Sequence, residues 1–268
     1  MNVVLRAEQL AFSYSPGHKV LDGISFELHR GELINLLGCN GCGKTTLLDI
    51  ITGMSRPSAG RVLIKGKDVK DYSAEQIAKE VSIVYQEHSA PFPYEVIDVV
   101  RMGRTPYIST FSAPDEQDAR IAEQALQQVG LFHLANRPYT QISGGERQMV
   151  LIARALAQQT DIILLDEPTS HLDFRNQAIV IKTIHRLVKE REVSVLMTTH
   201  MPYHALIYSS KAALMKDGKL LAFGQSQEVI NDQNLSRLYE MGVHVLHTYD
   251  DRLGAQVSTC VPIMDSFD

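Results

Sequence analysis

Apolar and polar positions follow one another along this chain in blocks that predict an α/β protein. Residues 33–37, LINLL, form a short apolar run with few breakers, which is typical of a buried strand. A glycine-containing loop follows, and the leucines and isoleucines of the next stretch, KTTLLDIITG, fall on one helical face. This pattern predicts a helix that ends near Gly53. A second apolar run, 162–165, ends directly in Asp166 and Glu167 and predicts another strand.

The alternation is interrupted by a segment rich in proline and aromatic residues, 88–117. We interpret this segment as the start of an inserted helical portion that extends over roughly 88–160. After residue 225 the pattern changes again. The sequence therefore predicts a main domain, 1–224, followed by a short C-terminal appendage, 225–268.

The composition is that of an ordinary globular protein and narrows the choice of partners. The chain has 268 residues, of which 44% are apolar and 21% charged, so a core of normal size can form. A formal net charge of −5 argues against a protein that coats nucleic acid, for which a basic domain is expected. The first residues lack the pattern of a signal peptide, and no apolar stretch approaches the about 18 residues that a transmembrane helix needs. If the protein serves a membrane, we expect it to do so by docking on another protein.

The stretch GCNGCGKTT, residues 38–46, allows two chemical interpretations. Cys39 and Cys42 have the spacing of a thiol site, but a structural zinc ion needs about four ligands and Cys260 is the one cysteine left. The glycines, Lys44 and a following threonine, placed between a predicted strand and a predicted helix, instead match a phosphate-binding P-loop. We therefore expect a phosphate site. A side hypothesis is that alkylation or oxidation of either loop cysteine blocks nucleotide binding.

Each residue type in this loop has a role in holding a nucleotide. Glycines let successive backbone N–H groups turn toward phosphate oxygens, and the helix N-terminus adds about half a positive charge. Lys44 can bridge the β- and γ-phosphates of ATP, and the Thr45 hydroxyl can ligate Mg²⁺. The predicted nucleotide-binding loop comprises Gly38, Cys39, Asn40, Gly41, Cys42, Gly43, Lys44, Thr45 and Thr46.

Two acids follow the apolar run in DIILLDEPTSHLD. A solvated acidic turn would explain them, but a strand that ends in two acids, in a chain with a P-loop, suits nucleotide hydrolysis better. We predict that Asp166 holds the Mg²⁺ shell. We predict that Glu167 orients or deprotonates the attacking water.

A second helix start, in ISGGERQMVLIARALAQ, carries a pair of glycines. Ser143 and Glu146 match a capping box, and apolar residues at helical spacing follow them, which by itself predicts an ordinary helix. A capping box does not explain Gly144 and Gly145, which cost helix stability beside the cap. Two glycines at the positive end of a helix indicate a second phosphate-binding surface.

Together these stretches resemble the ATP-binding subunit of ABC transporters. The motifs GCNGCGKT, VYQ, ISGGE, IILLDE, SHLD and TTH occur in the order of that family, and the resemblance covers residues 1 to about 224. It implies an α/β fold with a RecA-like P-loop nucleotide-binding core, an N-terminal antiparallel β subdomain and an inserted α-helical subdomain that carries the signature. It also implies ATP and Mg²⁺ as ligands and ATP hydrolysis as the reaction.

The resemblance assigns roles to three further side chains. Tyr14 matches the position where an aromatic ring stacks on adenine, with Phe12 as a neighbouring candidate. Gln86 in VYQ matches the glutamine that contacts Mg²⁺ and the attacking water. His200 in TTH matches the histidine that contacts the γ-phosphate.

The resemblance also implies a head-to-tail homodimer. Ser143, Gly144, Gly145 and Glu146 match the signature that contacts the γ-phosphate held by the opposite subunit. Asp173 in SHLD matches a loop that crosses the dimer interface. This signature departs from Leu-Ser-Gly-Gly-Gln at its first and last positions, and the second departure brings a carboxylate near bound phosphate.

The insertion contains aromatic and methionine side chains among prolines, which suggest a docking surface for a partner. The alternative is that these side chains are buried against the helical portion. They are Phe92, Tyr94, Met102 and Tyr107. The next stretch, SAPDEQDARIAEQALQQVG, predicts an amphipathic helix that opens with a capping box at Ser112 and Asp115.

Three segments resemble the metal-chelate branch of the family, the importers of iron–siderophore, haem and cobalamin. They are VVRMGRTPY, LDEPTSHLDFRNQ and the C-terminal HVLHTYDDRLGAQVSTCVPI, which predicts two strands with a turn near Asp250 and Asp251. The implied partners are a second copy, transmembrane permease subunits and, through the permease, an extracytoplasmic substrate-binding protein, with no nucleic acid. The implied location is the cytoplasmic face of the inner membrane. The alternatives are an ABC ATPase for another small solute or for export, a soluble ABC ATPase that acts on ribosomes or DNA, and a nucleotide-binding switch without hydrolysis.

Overall fold

The computed structural model describes residues 2–15, 17–86, 92–109, 112–252 and 254–263. In this part of the chain the strands are β1 (Val3–Ser15), β2 (His18–His29), β3 (Leu33–Gly38), β4 (Ala59–Ile64), β5 (Lys67–Asp68), β6 (Val81–Val84), β7 (Ile162–Leu165), β8 (Ser194–Thr199), β9 (Lys211–Lys216), β10 (Lys219–Gln225), β11 (Val243–Asp250) and β12 (Ala255–Pro262). The α-helices are α1 (Lys44–Ile51), α2 (Ala74–Glu80), α3 (Val96–Arg101), α4 (Glu116–Gln128), α5 (Gly144–Ala157), α6 (Phe174–Arg191), α7 (Pro202–Tyr208), α8 (Ser226–Val229) and α9 (Asp232–Tyr239). Residues 88–91 and 110–111 of the predicted helical insertion, and 253 and 264–268 of the predicted appendage, lie outside the described residues.

A central sheet collects the apolar strands of the sequence in the order β10-β9-β3-β8-β7-β6. β9, β3, β8, β7 and β6 are parallel, and β10 pairs antiparallel with β9 at one edge. β3, β7 and β8 are buried along their whole length because both faces of the sheet are covered. The carboxyl ends of these parallel strands meet at one edge of the sheet, so the polar residues that follow them come together there.

A second sheet, in the order β2-β1-β4-β5, is antiparallel throughout. Its apolar face shares a core with α1 and with one face of the central sheet, and this core includes Leu5, Ile24, Leu36, Leu48 and Ile64. The predicted N-terminal antiparallel β subdomain is thereby confirmed. The long strand β1 carries Tyr14 at its far end.

The opposite face of the central sheet is covered by the helices α3, α4, α5 and α6. Their shared core includes Val100, Leu126 and Val150, together with Leu165 of β7. A buried ion pair between Arg104 Nε and Asp118 Oδ1, 2.9 Å long, adds a polar contact within this helical portion.

The helix α4 begins one turn later than the sequence predicts. Its N-cap is Asp115, whose carboxylate accepts from the Asp118 N–H at 2.9 Å while the Asp118 carboxylate accepts from the Asp115 N–H at 3.2 Å. The predicted capping box at Ser112 and Asp115 is therefore wrong. Pro114 explains the difference, because a proline disfavours the helical conformation of the residue before it.

The C-terminal segment packs onto the main body of the protein. α8, α9 and β11 share a hydrophobic cluster with Leu37 of β3 and Ala205 of α7. β11 and β12 form the predicted two-stranded hairpin, in which Asp250 pairs with Ala255 beside the turn. The C-terminal segment therefore buries side chains against both the strand that leads into the glycine loop and the helix that follows His200.

Candidate functional site

The loop between β3 and α1 needs glycine at two positions where the backbone adopts positive φ. Gly41 has φ +79° and no atom within 4 Å of the place where a Cβ would lie. Gly43, the residue before α1, has φ +105°, and a Cβ there would come within 2.8 Å of Leu21 and 2.9 Å of the Val20 carbonyl. The predicted strand, loop and helix are therefore present, and side chains are excluded where the backbone must turn.

Lys44 lies at the centre of this loop and is buried. Its Nζ donates to the carbonyl oxygens of Gly38 at 2.8 Å and Cys39 at 3.2 Å. The same Nζ forms an ion pair with Glu167 Oε1 at 3.2 Å. The ammonium group is thus held between the loop and the second strand-end acid, at the position expected for a group that binds phosphate.

Asp166 is fixed by two threonine hydroxyls. Thr45 Oγ1 donates to Asp166 Oδ2 at 2.8 Å, and Thr198 Oγ1 donates to Asp166 Oδ1 at 2.6 Å. Thr198 also accepts from the Glu167 N–H at 2.8 Å, so one threonine orients both acids. The sequence interpretation missed Thr198, although it is the first residue of the motif TTH that ends in His200.

Glu167 has a strained backbone and a carboxylate with several partners. Its φ of +46° lies in the left-handed region, which is costly for a residue with a side chain. The carboxylate accepts from the Ser170 hydroxyl at 3.0 Å and is joined to His200 Nδ1 at 3.0 Å. Burial acts to raise the pKa of Glu167, but the Lys44 ammonium and the hydrogen bonds from Lys44, Ser170 and His200 outweigh it, so the pKa lies below its usual value. The sequence interpretation also missed Ser170.

Tyr14 reaches the glycine loop from the antiparallel sheet. Its hydroxyl is 3.1 Å from Thr46 Oγ1, and its ring packs edge-on against Phe12 with a centroid distance of 4.8 Å. The residue is 69% exposed, so the ring offers a free face beside the loop. This placement is compatible with the predicted stacking on adenine, with Phe12 as support for the Tyr14 ring.

Gln86 lies two residues beyond β6 and is exposed. No hydrogen bond among the described residues links it to the other site residues, so its predicted contact with Mg²⁺ stays a prediction. The preceding residue, Tyr85, donates its hydroxyl to Asp49 of α1 at 3.0 Å. This bond ties the segment that carries Gln86 to the helix that follows the glycine loop.

The signature residues open α5 as the sequence predicts. The Glu146 carboxylate accepts from both the backbone N–H and the hydroxyl of Ser143 at 2.7 Å, and the Glu146 N–H donates to Ser143 Oγ at 3.3 Å. These hydrogen bonds lower the pKa of Glu146. A Cβ on Gly145 would lie 2.6 Å from the Asn176 side chain, and a Cβ on Gly144 would lie 3.9 Å from Leu172. The absence of a side chain at Gly145 therefore lets the start of α5 approach Asn176 in the first turn of α6, next to the segment that leads into α6, whereas a Cβ at Gly144 would make an ordinary contact.

Asp173 lies in that same segment. It is the N-cap of α6, and its carboxylate accepts from the Asn176 N–H at 2.8 Å and from Asn176 Nδ2 at 3.0 Å. Asn176 therefore contacts both Gly145 and Asp173. Ser143 and Asp173 are exposed, so they lie on the surface of the chain.

The structure thus arranges the predicted residues in two clusters. The phosphate cluster consists of the loop 38–46, Tyr14, Asp166, Glu167 and His200. The signature cluster consists of residues 143–146, Leu172, Asp173 and Asn176. Among the described residues no hydrogen bond or ion pair joins one cluster to the other. A single chain therefore holds the two predicted phosphate-binding surfaces as separate clusters.

The cysteines of the loop are free thiols that differ in accessibility. Cys42 is buried, and burial raises the pKa of its thiol. Cys39 is exposed, and its Sγ lies 3.8 Å from the carbonyl oxygen of Leu238. Among the described residues no group of three or more His, Cys, Asp or Glu side chains could hold a metal ion. If a thiol reagent blocks this loop, Cys39 is the more accessible target.

Comparison with known proteins identifies the family and the fold. Residues 21–170 match the family model described as "ABC transporter". This chain belongs to the ABC transporter family. It is an ATP-binding, ATP-hydrolysing subunit of that family, and the RecA-like P-loop fold predicted from the motifs is confirmed.

Two curated ABC proteins show the breadth of its relatives. The chain is 37% identical over 241 residues to the molybdate import ATP-binding protein MolC of Haemophilus influenzae, with 90% of each chain covered. It is 34% identical over 242 residues to the iron(3+)-hydroxamate import ATP-binding protein FhuC of Bacillus subtilis, again with 90% of each chain covered.

Two solved ABC structures have the same fold. The first is an inward-facing conformation of a metal-chelate type ABC transporter, 34% identical, with a TM-score of 0.88 and 99% of both chains covered. The second is a dimeric post-hydrolysis state of an ATP-binding cassette bound to ADP and phosphate, 26% identical, with a TM-score of 0.71. The second match covers 83% of this chain and 98% of the other.

Proposed function

We propose that this chain is the ATP-hydrolysing subunit of an importer for metal chelates such as iron–siderophore, haem or cobalamin. The observation that carries this proposal is its likeness over 99% of its length, with a TM-score of 0.88, to the structure of a metal-chelate type transporter. The iron-hydroxamate import protein supports the same class. We retain the division into an ATP-binding domain, 1–224, with a helical subdomain at roughly 88–160, and an appendage, 225–268, as part of the proposal.

Within the phosphate cluster we propose that ATP binds along the loop 38–46. Lys44 would release its backbone partners and Glu167 to hold the β- and γ-phosphates, and the ring of Tyr14 would stack on adenine. The hydroxyl of Thr45, the amide of Gln86 and the carboxylate of Asp166 are hard oxygen ligands of the kind that Mg²⁺ prefers. Mg²⁺, when bound, would neutralise charge on the β- and γ-phosphate oxygens.

The hydrolytic step would depend on Glu167 and His200. The Glu167 carboxylate, which accepts from Ser170 and is joined to His200, can accept a hydrogen bond or a proton from the attacking water. His200, joined to Glu167 through Nδ1, is half-exposed and can turn its other ring nitrogen toward the γ-phosphate. Gln86 would complete the site from the neighbouring strand end.

Two copies would be needed for a complete site. The signature cluster presents the α5 N-terminus and the Ser143 hydroxyl at the surface, separate from the phosphate cluster of the same chain. Phe174, next to Asp173, is 80% exposed, and such an apolar surface favours burial against a partner. We therefore propose a head-to-tail homodimer in which each ATP lies between one phosphate cluster and the signature cluster of the second copy.

The chain would also dock on permease subunits at the cytoplasmic face of the inner membrane. Through the permease it would cooperate with an extracytoplasmic substrate-binding protein. Within the described ranges no helix combines the length and the apolar character that a membrane span requires. A groove of about 1280 Å³ separates the helical portion from the second sheet, and its lining includes Arg56, Tyr72 and Met102. Its size suits a protein segment better than a small ligand.

The predicted docking residues differ in their exposure and in the contacts that their side chains make within the chain. Phe92, Tyr94 and Met102 are 59%, 46% and 42% exposed. Tyr107 is 41% exposed, but its hydroxyl donates to the Gln158 carbonyl at 3.0 Å and the Arg104 guanidinium lies 4.1 Å from its ring centre. Tyr107 therefore stabilises the helical portion, and Phe92, Tyr94 and Met102 are the better docking candidates.

Substitution of these docking residues is expected to uncouple transport from hydrolysis. The variants Phe92→Ser, Tyr94→Ser and Met102→Glu should each lower ATP-driven uptake by about tenfold or more, since central apolar contacts dominate an interface. The ATPase rate of the chain without permease should not change. The measurement is uptake into proteoliposomes that contain the permease, beside ATPase activity of the free chain.

The matched control for the docking residues is Phe132→Ser. Phe132 is 45% exposed on the helical portion, where Phe92, Tyr94 and Met102 are exposed too, but it follows α4 and lies outside the segment 92–107. Its replacement should leave uptake intact. Wild-type uptake by all three docking variants would show that the permease contacts another surface.

The substrate class can be tested with the permease encoded beside this chain. We expect ATP-dependent uptake of an iron–hydroxamate, haem or cobalamin complex, and none by Glu167→Gln. Uptake of molybdate instead would support the second candidate, an importer of a small oxyanion, which the 37% identity to the molybdate import protein favours. ATP-dependent accumulation of substrate inside inverted vesicles, whose outer face is the cytoplasmic one, would contradict import of either kind.

A further inference from the structure

The carbonyl oxygen of His200 has a hydrogen-bond partner in the C-terminal segment. Tyr239, the last residue of α9, donates its hydroxyl to this oxygen at 2.9 Å. The His204 N–H donates to the Met201 carbonyl at the start of α7, so the His200 carbonyl is not used by that helix. The bond from Tyr239 therefore fixes a point of the backbone that the neighbouring helix leaves free.

A second contact holds the short connection between β8 and α7, which contains His200. Thr199 Oγ1 accepts from the Met201 N–H at 3.0 Å. The backbone around His200 is thus held at two points. Thr199 Oγ1 accepts from the next residue, Met201, and the His200 carbonyl oxygen itself accepts from Tyr239. Its imidazole projects from this connection to Glu167, with Nδ1 3.0 Å from the carboxylate. A shift of the His200 carbonyl would alter the position of the imidazole relative to Glu167.

The helix α9 is itself held firmly. Leu235 and Leu238 are fully buried in the cluster that also contains Leu37 and Ala205. At its C-terminal end, Lys216 Nζ donates to the Arg237 carbonyl at 2.7 Å and pairs with Glu240 at 2.7 Å. A cation at this end of a helix is favourable because the last carbonyls carry partial negative charge. Tyr239 therefore extends from a fixed support.

The Tyr239 side chain is half-buried and remains a donor at physiological pH. Burial, and then the neighbouring Cys39 and Cys260 thiols, raise the pKa of Tyr239 above its usual value. The hydroxyl is thus protonated, as a bond to a carbonyl oxygen requires. The same turn of α9 also contacts the glycine loop, because Cys39 Sγ lies 3.8 Å from the Leu238 carbonyl.

We propose that Tyr239 is a positioning residue for ATP hydrolysis. Its hydrogen bond to the His200 backbone holds the His200 imidazole in position relative to Glu167 and the γ-phosphate. The C-terminal segment thereby becomes part of the hydrolytic apparatus, although it lies outside residues 21–170 that match the family model. This inference rests on the proposed role of His200. Small displacements of a positioned group weaken catalysis far more than binding, so the effect belongs to the rate of hydrolysis.

Tyr239→Phe removes the hydroxyl and keeps the ring. In the full-length chain with Mg²⁺ and ATP, kcat should fall about fivefold, the loss that corresponds to one hydrogen bond of ordinary strength. The Kd for ATP, measured by titration with a fluorescent nucleotide, should not change, and the melting temperature should fall by no more than about 2–4 °C, as the loss of one hydrogen bond entails. Tyr249→Phe is the matched control, because Tyr249 lies on β11 in the same segment, is 64% exposed and should keep the wild-type rate.

A second measurement shows whether the effect passes through His200. The rate of single-turnover hydrolysis of radiolabelled ATP is measured with and without Tyr239→Phe, first in the wild-type chain and then in His200→Ala. The two fold-losses are then compared. The effect of Tyr239→Phe should disappear when His200 is absent. An equal fold-loss in both backgrounds would overturn the inference.

Three other outcomes are equally decisive. An unchanged kcat in Tyr239→Phe would overturn the inference and leave the proposed function intact. A parallel loss of kcat, ATP affinity and melting temperature would show a purely structural role and overturn it as well. Absence of ATPase activity in the wild-type chain would overturn the proposed function itself.

Discussion

Replacing Lys44 by alanine is expected to abolish ATP turnover. The substitution removes the ammonium group that the loop holds through the Gly38 and Cys39 carbonyls, beside Glu167. Loss of one preorganised donor to a charged group lowers catalysis by about 100-fold or more. The affinity for ATP should fall as well, because the same group would bind the β- and γ-phosphates in the ground state. The measurements are steady-state phosphate release and nucleotide titration.

The matched control for Lys44 is Lys211→Ala. Lys211 is also a largely buried lysine in an ion pair, with Glu32 Oε1 at 2.8 Å, but it lies outside the phosphate cluster. Its loss should reduce thermal stability without an effect on kcat. Normal turnover by Lys44→Ala would refute the assignment of the loop 38–46 as the phosphate site.

Replacing Glu167 by glutamine is expected to stop hydrolysis and leave ATP binding intact. The amide keeps the size of the side chain but cannot act as a base, and a catalytic base contributes about 10² to 10⁴ in rate. ATP would then remain in place between the two copies. We therefore expect a dimer that accumulates with ATP and Mg²⁺ on size-exclusion chromatography, and that dissociates when a chelator removes the metal.

The comparison for Glu167 is Glu32→Gln, which alters the acid of the ion pair with Lys211. This variant should hydrolyse ATP at the wild-type rate and show no trapped dimer. A Glu167→Gln chain that stays monomeric with ATP and turns over at full rate would contradict both the catalytic role and the head-to-tail arrangement.

Features that depend on neighbouring residues in the chain were predictable from the sequence. The strand, glycine loop and helix around Lys44 form one continuous stretch, and the turn between them is dictated by local backbone geometry. The capping box of Ser143 and Glu146 was predicted for the same reason, since its partners are three residues apart. The start of α4 was predicted wrongly because a similar spacing occurred twice and Pro114 decided between them.

The resemblance to the ABC family extended these predictions beyond local structure. It assigned Tyr14 to stacking on adenine, which stays a prediction, and the structure places the Tyr14 hydroxyl 3.1 Å from Thr46 Oγ1. The roles of Gln86 and the signature residues stay predictions, because they concern a metal ion and a second copy. Thr198 and Ser170 lie in the motifs TTH and SHLD but were given no role, and Tyr239 lies in none of the motifs.

By itself, the sequence determined the chemistry that this protein carries, namely a P-loop, two strand-end acids and a signature helix. Tertiary structure decided how these parts act on one another. Lys44 meets Glu167 because parallel β3 and β7 end at the same edge of the sheet, and Tyr239 meets His200 because α9 packs onto Leu37 and Ala205. Such contacts join residues far apart in the chain. Their partners are selected by burial of apolar side chains over the whole fold, which no short motif records.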